Sequence, residues 1–239
     1  MYEVSEVVTS LDRGLGWILL FSAFGWIGGS IQFFEGLRLT WRDGVIGHPL
    51  GYVMLVFAHD AYFVIHSMTG GETLDHWYFD ATNVLFLIWP FVEVVAVIWL
   101  VRVARREFAP DLAPASWYFI CAIYLSLAIV IYTFMQSIID DPLLILSWTY
   151  AQVVNIVFMI PLILRRRSTL GQSRIMAWAL LLSPGSMAMF IAPSLAPSLL
   201  GPAYIAMAGL TFTLSASYLA LYEYYRRREL KGMGPLAAL

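Results

Sequence analysis

Residues 82–101 read TNVLFLIWPFVEVVAVIWLV, a run that carries a single formal charge, Glu93. A helix rises about 1.5 Å per residue, so a run of this length spans about 30 Å, the thickness of a bilayer's hydrocarbon core. Six further apolar runs flank it, at 15–35, 49–68, 116–136, 143–164, 174–194 and 203–224. Hydrophobic residues make up 60% of the 239 and charged residues 13%, a balance that excludes an ordinary soluble domain. The expected fold class is an all-α integral membrane protein, a seven-transmembrane helix bundle, with residues 1–239 as a single transmembrane domain.

Basic residues test that segmentation, because Lys and Arg gather on the cytosolic side of a membrane. With the N-terminus outside and the C-terminus cytosolic, the inward segments carry Arg38 and Arg42, then Arg102, Arg105 and Arg106. Arg165, Arg166, Arg167 and Arg174 follow, and then Arg226, Arg227, Arg228 and the only lysine, Lys231. Arg13 alone falls on the other side. The outward loops carry Glu72, Asp75, Asp80, Asp140 and Asp141. The alternation is that of a multi-pass protein with seven spans. Glu3, Glu6 and Asp12 and the length of the first span argue against a cleaved signal peptide, so this span is expected to remain. Cys121, the only cysteine, lies mid-span and can form no internal disulfide.

Connections of about 6 to 15 residues make sequential helices expected neighbours in an up-and-down bundle. Gly25, Gly28 and Gly29 would let another helix approach closely. Pro90 and Pro161 are expected to kink the third and fifth spans. The stretch SPGSMAMFIAPSLAPSLLGP (183–202) predicts a broken end to the sixth.

Counted from the cytosolic ends, Asp60 lies about 16 Å deep and Glu93 about 12 Å, nearly level on antiparallel spans. Gln152, Asn155, Ser183 and Ser215 fall in the same layer, where polar residues commonly serve as hydrogen-bonding glue between helices. Ionisable groups at that depth face a bundle interior or a wet cavity, so the two acids mark an internal site. If they are close together, one should keep its proton, ready to donate it.

The four histidines, His48, His59, His66 and His76, cluster in or beside the second span. His59 and His66 share a helix face, a spacing unlike that of zinc-protease helices, and hydrogen bonding or proton relay is expected rather than a metal. No cofactor and no nucleic-acid partner is expected. A Schiff-base pigment would need an intramembrane lysine, and diphosphate ionisation would need two aspartate-rich magnesium sites. Both are lacking, as are a phosphate-binding glycine loop, a GxSxG elbow and a CxxC. Trp41, Trp77, Tyr78 and Trp117 fit interface belts. Tyr52, Phe57, Tyr62, Phe86, Trp89, Phe134, Trp148 and Tyr218 lie within spans, where ring faces can stabilise positive charge.

A buried acid, many rings, no metal and no diphosphate site suit proton-initiated cyclisation of a polyene. The chain resembles the small seven-span integral-membrane terpene cyclases of fungal meroterpenoid and indole-diterpene pathways and their bacterial relatives. The likeness is carried by FAHD (57–60), FLIWPFVEV (86–94), SWTYAQ (147–152), RRRSTLGQS (165–173) and the following Trp178. The resemblance implies a catalytic acid in the second span, matching Asp60, and another in the last, where this chain has Ser215. On that reading the catalytic residues are Asp60 and Glu93. His59, Tyr62, Trp89, Trp148, Gln152, Asn155, Ser215 and Tyr218 would line the site of a lipophilic small-molecule substrate. A small-solute transporter or channel with a midplane polar site is the rival expectation, and a sensor or assembly subunit a third.

Overall fold

In the computed structural model, residues 2–69, 74–139 and 141–233 are described; of the acidic loop residues named above, Glu72 and Asp140 lie outside them. The described residues form helices and no strands. The helices are α1 (Val4–Asp43), α2 (Leu50–Met68), α3 (Trp77–Phe108), α4 (Pro114–Ile138) and α5 (Ile145–Arg166). There follow α6 (Arg174–Leu182), α7 (Ile191–Leu195) and α8 (Pro202–Leu230). Taking Arg174–Leu195 as one broken span, seven helices are long and apolar enough to cross a membrane.

Several helices outrun the apolar windows. α1 covers 40 residues, and its one non-helical backbone position is Gly14, at φ −126° and ψ 17°. α3 reaches from the ring of His76, whose Nδ1 accepts the amide of Tyr78, to Arg105 and Arg106 in its last turn. Hydropathy marks only the length that lipid covers, whereas a helix continues through polar flanks until a capping residue stops it. Gly44 at φ 68° does so for α1. Helical structure runs unbroken through Pro90 and Pro161. The sixth span breaks as expected: α6 ends at Leu182, and a 3₁₀ turn (Met187–Phe190) leads into α7.

Two compact units are distinguished. The first comprises Leu50–Ala151, and the second Tyr2–Pro49 with Gln152–Leu239.

In the first unit α2 packs along α3 and α4. α3 shows how faces divide. Phe91 is 76% exposed and Glu93 0%, two positions about 200° apart around the axis. Phe91, Val95 and Ile98 therefore form an outer face suited to lipid, while Phe86, Glu93, Ala96 and Leu100 face inward.

In the second unit α1 packs against α6 and α7, and α6 against α8. The partner of the first helix thus comes from the far end of the chain. Gly28 explains the approach: a Cβ there would lie 2.3 Å from Cβ of Ser183, whose hydroxyl donates to the carbonyl of Gly25 at 3.1 Å. Gly29 faces open space. The core of this unit gathers Leu39, Ile156, Met159, Ile163, Met176 and Tyr218.

The RRRSTLGQS segment closes one end of the second unit. Arg166 donates to the carbonyls of Ile46 (2.7 Å) and Leu170 (3.1 Å), and the amide of Gly171 donates to Asp43 at 2.9 Å. Gly171 sits at φ 73°, where a side chain would be strained. Thr169 donates through its amide and hydroxyl to Glu229 at 2.7 and 2.5 Å. Ser173 caps α6 by accepting the amide of Met176. The motif is a lock between a loop and two helix ends, and each of its polar residues has a backbone or side-chain partner to hold.

Candidate functional site

α2 and α3 bring the two intramembrane acids together within the first unit. Asp60 sits on the buried face of α2 with Tyr52, Val53 and His59, and Glu93 occupies the buried face of α3. Their exposures are 3% and 0%, and their carboxyl groups lie within hydrogen-bonding reach of each other. Oε1 of Glu93 accepts the indole N–H of Trp89 at 3.1 Å, one helical turn away. Its Oε2 is buried with no N–H or O–H donor among the described residues. Two ionised carboxylates at this range would repel each other.

The opposite side of Asp60 is held by its neighbour. Nδ1 of His59 lies 2.5 Å from Oδ1 of Asp60, and Nε2 of His59 is buried with no partner among the described residues. The His59 ring meets Tyr132 edge-on, with centroids 5.4 Å apart, and tilts against Phe86 at 5.9 Å. Tyr62 stacks on His66 at 5.9 Å and meets Tyr132 edge-on at 5.4 Å. Tyr52 shares the electrostatic surroundings of both acids. Trp148 is half-buried in the first turn of α5.

The other expected site residues belong to the second unit and have different employment. Asn155 and Gln32 form a reciprocal amide pair, with N···O distances of 3.0 and 2.6 Å. The Tyr218 hydroxyl donates to Gln172, whose own amide donates to Gly47 at 2.9 Å. Gln152 is half-buried. Ser215 is fully buried beneath Gly185, where an added Cβ would stand 2.3 Å from the serine oxygen. A larger acid at 215 would have to displace that backbone.

The four histidines are dispersed among separate tasks. His48 donates from Nε2 to the carbonyl of Phe33 at 3.1 Å, His76 caps α3, His66 stacks on Tyr62 and His59 holds Asp60. Among the described residues no three His, Cys, Asp or Glu side chains are grouped to hold a metal.

Sequence reasoning missed Tyr132, Ser147 and Gln32. Each is an ordinary polar or aromatic residue in an apolar span, and only the packing of helices distinguishes it from its many counterparts. The second unit also bears an open apolar groove of about 590 Å³, lined by Phe24, Ile27, Gly28, Trp178 and Arg174. In the first unit a small cavity of about 20 Å³, room for about one water, adjoins His66, Ser67 and Asn83.

No known family model, curated protein or solved structure matches the chain.

Proposed function

We propose that this chain is a membrane-embedded terpenoid cyclase. It would close rings in a lipophilic prenyl chain, plain or bearing a terminal epoxide, by proton transfer from Asp60. The observation that carries the reading is the buried pair Asp60–Glu93, two carboxyl groups within reach of each other inside an apolar, ring-rich layer. The likeness of FAHD, FLIWPFVEV and RRRSTLGQS to the membrane terpene cyclases supports the same chemistry.

The proton adds to a terminal alkene carbon or epoxide oxygen of the substrate, leaving a carbocation. Internal double bonds of the polyene then attack in turn, and a proton is lost from carbon at the far end. No atom is gained overall, so the reaction is an isomerisation that needs neither metal nor cofactor. Glu93 takes the part of the second acid, since position 215 holds a serine packed beneath Gly185. Trp89, Tyr62 and their neighbours stabilise the cation through their ring faces. Trp148, in the same unit as the two acids, remains a candidate lining group. The arginines at the ends of α1, α3, α5 and α8 support a cytosolic C-terminus and an outer N-terminus.

Membranes containing the protein, fed plain and epoxidised prenylated substrates, should yield a cyclised product that disappears in Asp60→Asn. Full product from Asp60→Asn would remove the acid from its role. Solute uptake into proteoliposomes with no cyclised product would assign the polar layer to transport instead.

A further inference from the structure

The groove on the second unit has an apolar length and a charged end. Phe24, Ile27 and Ile31 of α1 form one wall, and Ile175, Trp178 and Leu182 of α6 the other. Each of these six side chains is between 42 and 62% exposed, so a large apolar surface stands open along the seam of two packed helices. From Arg174 to Ser183 the lining stretch of α6 rises about 13 Å, close to the depth of one leaflet in a hydrocarbon core of about 30 Å. Arg174 lines the groove where α6 begins, and its side chain stays 57% exposed. Its Nε lies 2.7 Å from one oxygen of Glu223, while Arg226 reaches the other oxygen at 3.5 Å. Two guanidinium groups thus share one carboxylate, which leaves this corner with a net positive charge. On α1 the line of Ile27 and Ile31 continues, at helical spacing, to Glu35 and Arg38, which pair at 2.7 Å and neutralise each other.

We propose that this groove binds one phospholipid of net negative charge from the leaflet on the arginine-rich side, with an acyl chain along α1 and α6 and the phosphate on Arg174. A guanidinium carries five N–H donors, and one carboxylate shared with Arg226 cannot occupy all of them, so donors remain for phosphate oxygens. Trp178, one turn inside Arg174, falls at the level of the lipid's glycerol esters. There an indole sets its apolar body against the chain and its N–H against an ester carbonyl. The groove volume of about 590 Å³ is that of a small-molecule site. A second copy of the chain suits it less well. Two copies lie parallel in one membrane, and a symmetric contact would set the positive corner of one against that of the other. The inference does not depend on the cyclase reading, whose two acids belong to the other unit.

The test is native mass spectrometry of the purified full-length protein released from detergent micelles and titrated with phosphatidylglycerol or phosphatidylcholine of identical chains. One phosphatidylglycerol per chain should be retained, on the order of ten-fold more tightly than phosphatidylcholine. Arg174→Gln should abolish that preference, and Arg106→Gln, at the end of α3, should leave it unchanged. Ala179→Phe, which puts a ring into the groove, should reduce retention of both lipids. Arg174 is largely exposed, so Arg174→Gln reports on the site even if Ala179→Phe disturbs the fold. Equal retention of the two lipids by the wild type, an unchanged preference in Arg174→Gln, or the same loss in Arg106→Gln would overturn the site. So would a dimer of the chain that excludes lipid, or equally tight binding of glycerol phosphate, which has no acyl chain. Cyclised product, present or absent, bears on the other unit alone.

Discussion

Nδ1 of His59 stands 2.5 Å from Oδ1 of Asp60, the next residue of the same helix, and both side chains are almost fully enclosed. Adjacent helical residues ordinarily point about 100° apart, so this contact is made by side chains that turn toward each other. An imidazole that donates to a carboxylate fixes its direction and leaves its other nitrogen free to exchange a proton. His59→Phe keeps a ring and removes both functions. On the cyclase proposal, cyclised product from membranes of this variant should fall on the order of 100-fold.

Glu93 is expected to matter through its proton as well as its position. Glu93→Gln preserves an acceptor for Trp89 but cannot share a hydrogen between two carboxyls. On the cyclase proposal its product yield should drop by on the order of 100-fold, measured beside Trp89→Phe, which removes only the indole donor and should lose much less.

Gly28 and Gly29 separate close approach from mere flexibility. Gly28→Ala would place a methyl 2.3 Å from Ser183 and should destabilise the protein by about 1–3 kcal/mol. Gly29→Ala meets nothing within 4 Å and should leave stability unchanged or slightly raised. Thermal unfolding in detergent, followed by circular dichroism, would show the contrast. Equal melting temperatures for the two variants would contradict it.

The Gln32–Asn155 pair predicts non-additivity. Asn155→Leu strands the Gln32 amide in an apolar setting, as Gln32→Leu strands Asn155, and each should cost about 1–2 kcal/mol. The double variant should be no less stable than either single one. Additive losses in unfolding experiments would deny the pair its coupling.

His48 makes one unit sensitive to acid. Burial pushes its imidazole down to about 4, against its ordinary 6.5, while acceptance by the carbonyls of Gln32 and Phe33 opposes the shift. The unfolded chain therefore takes up this proton first as pH falls. The contribution of His48 to stability is complete above pH 6.5 and is lost progressively between 6.5 and 4. Melting temperature should fall across that window, and His48→Gln should flatten the slope. An unaltered slope in the variant would place the sensitivity elsewhere.

How much of this was legible in the residues differs from element to element. The α3 run announced a membrane helix through its apolarity alone, and the level depths of Asp60 and Glu93 followed from a constant rise per residue. The ends of α1 and α3 were not legible, because polar flanks outside the lipid continue a helix without any hydropathic sign. The broken sixth span was signalled by Pro184, Gly185 and Pro193. Ser183 was placed in the polar layer as a hydrogen-bonding residue between helices, whereas Tyr132 beside His59 and Gln32 beside Asn155 carried no signal of their own. A serine, a tyrosine or a glutamine in an apolar run reads alike whichever neighbour it meets.

The order of residues was enough to indicate an all-helical chain with seven helices long and apolar enough to cross a membrane, since that depends on local composition and on a helix's fixed geometry. Which helix lies against which was decided only by tertiary packing. α1 found its partner in α6 because Gly28 and Ser183 fit, a match between distant positions that no window of sequence contains. The same packing joined Asp60 to Glu93 within one unit and seated Ser215 beneath Gly185 in the other.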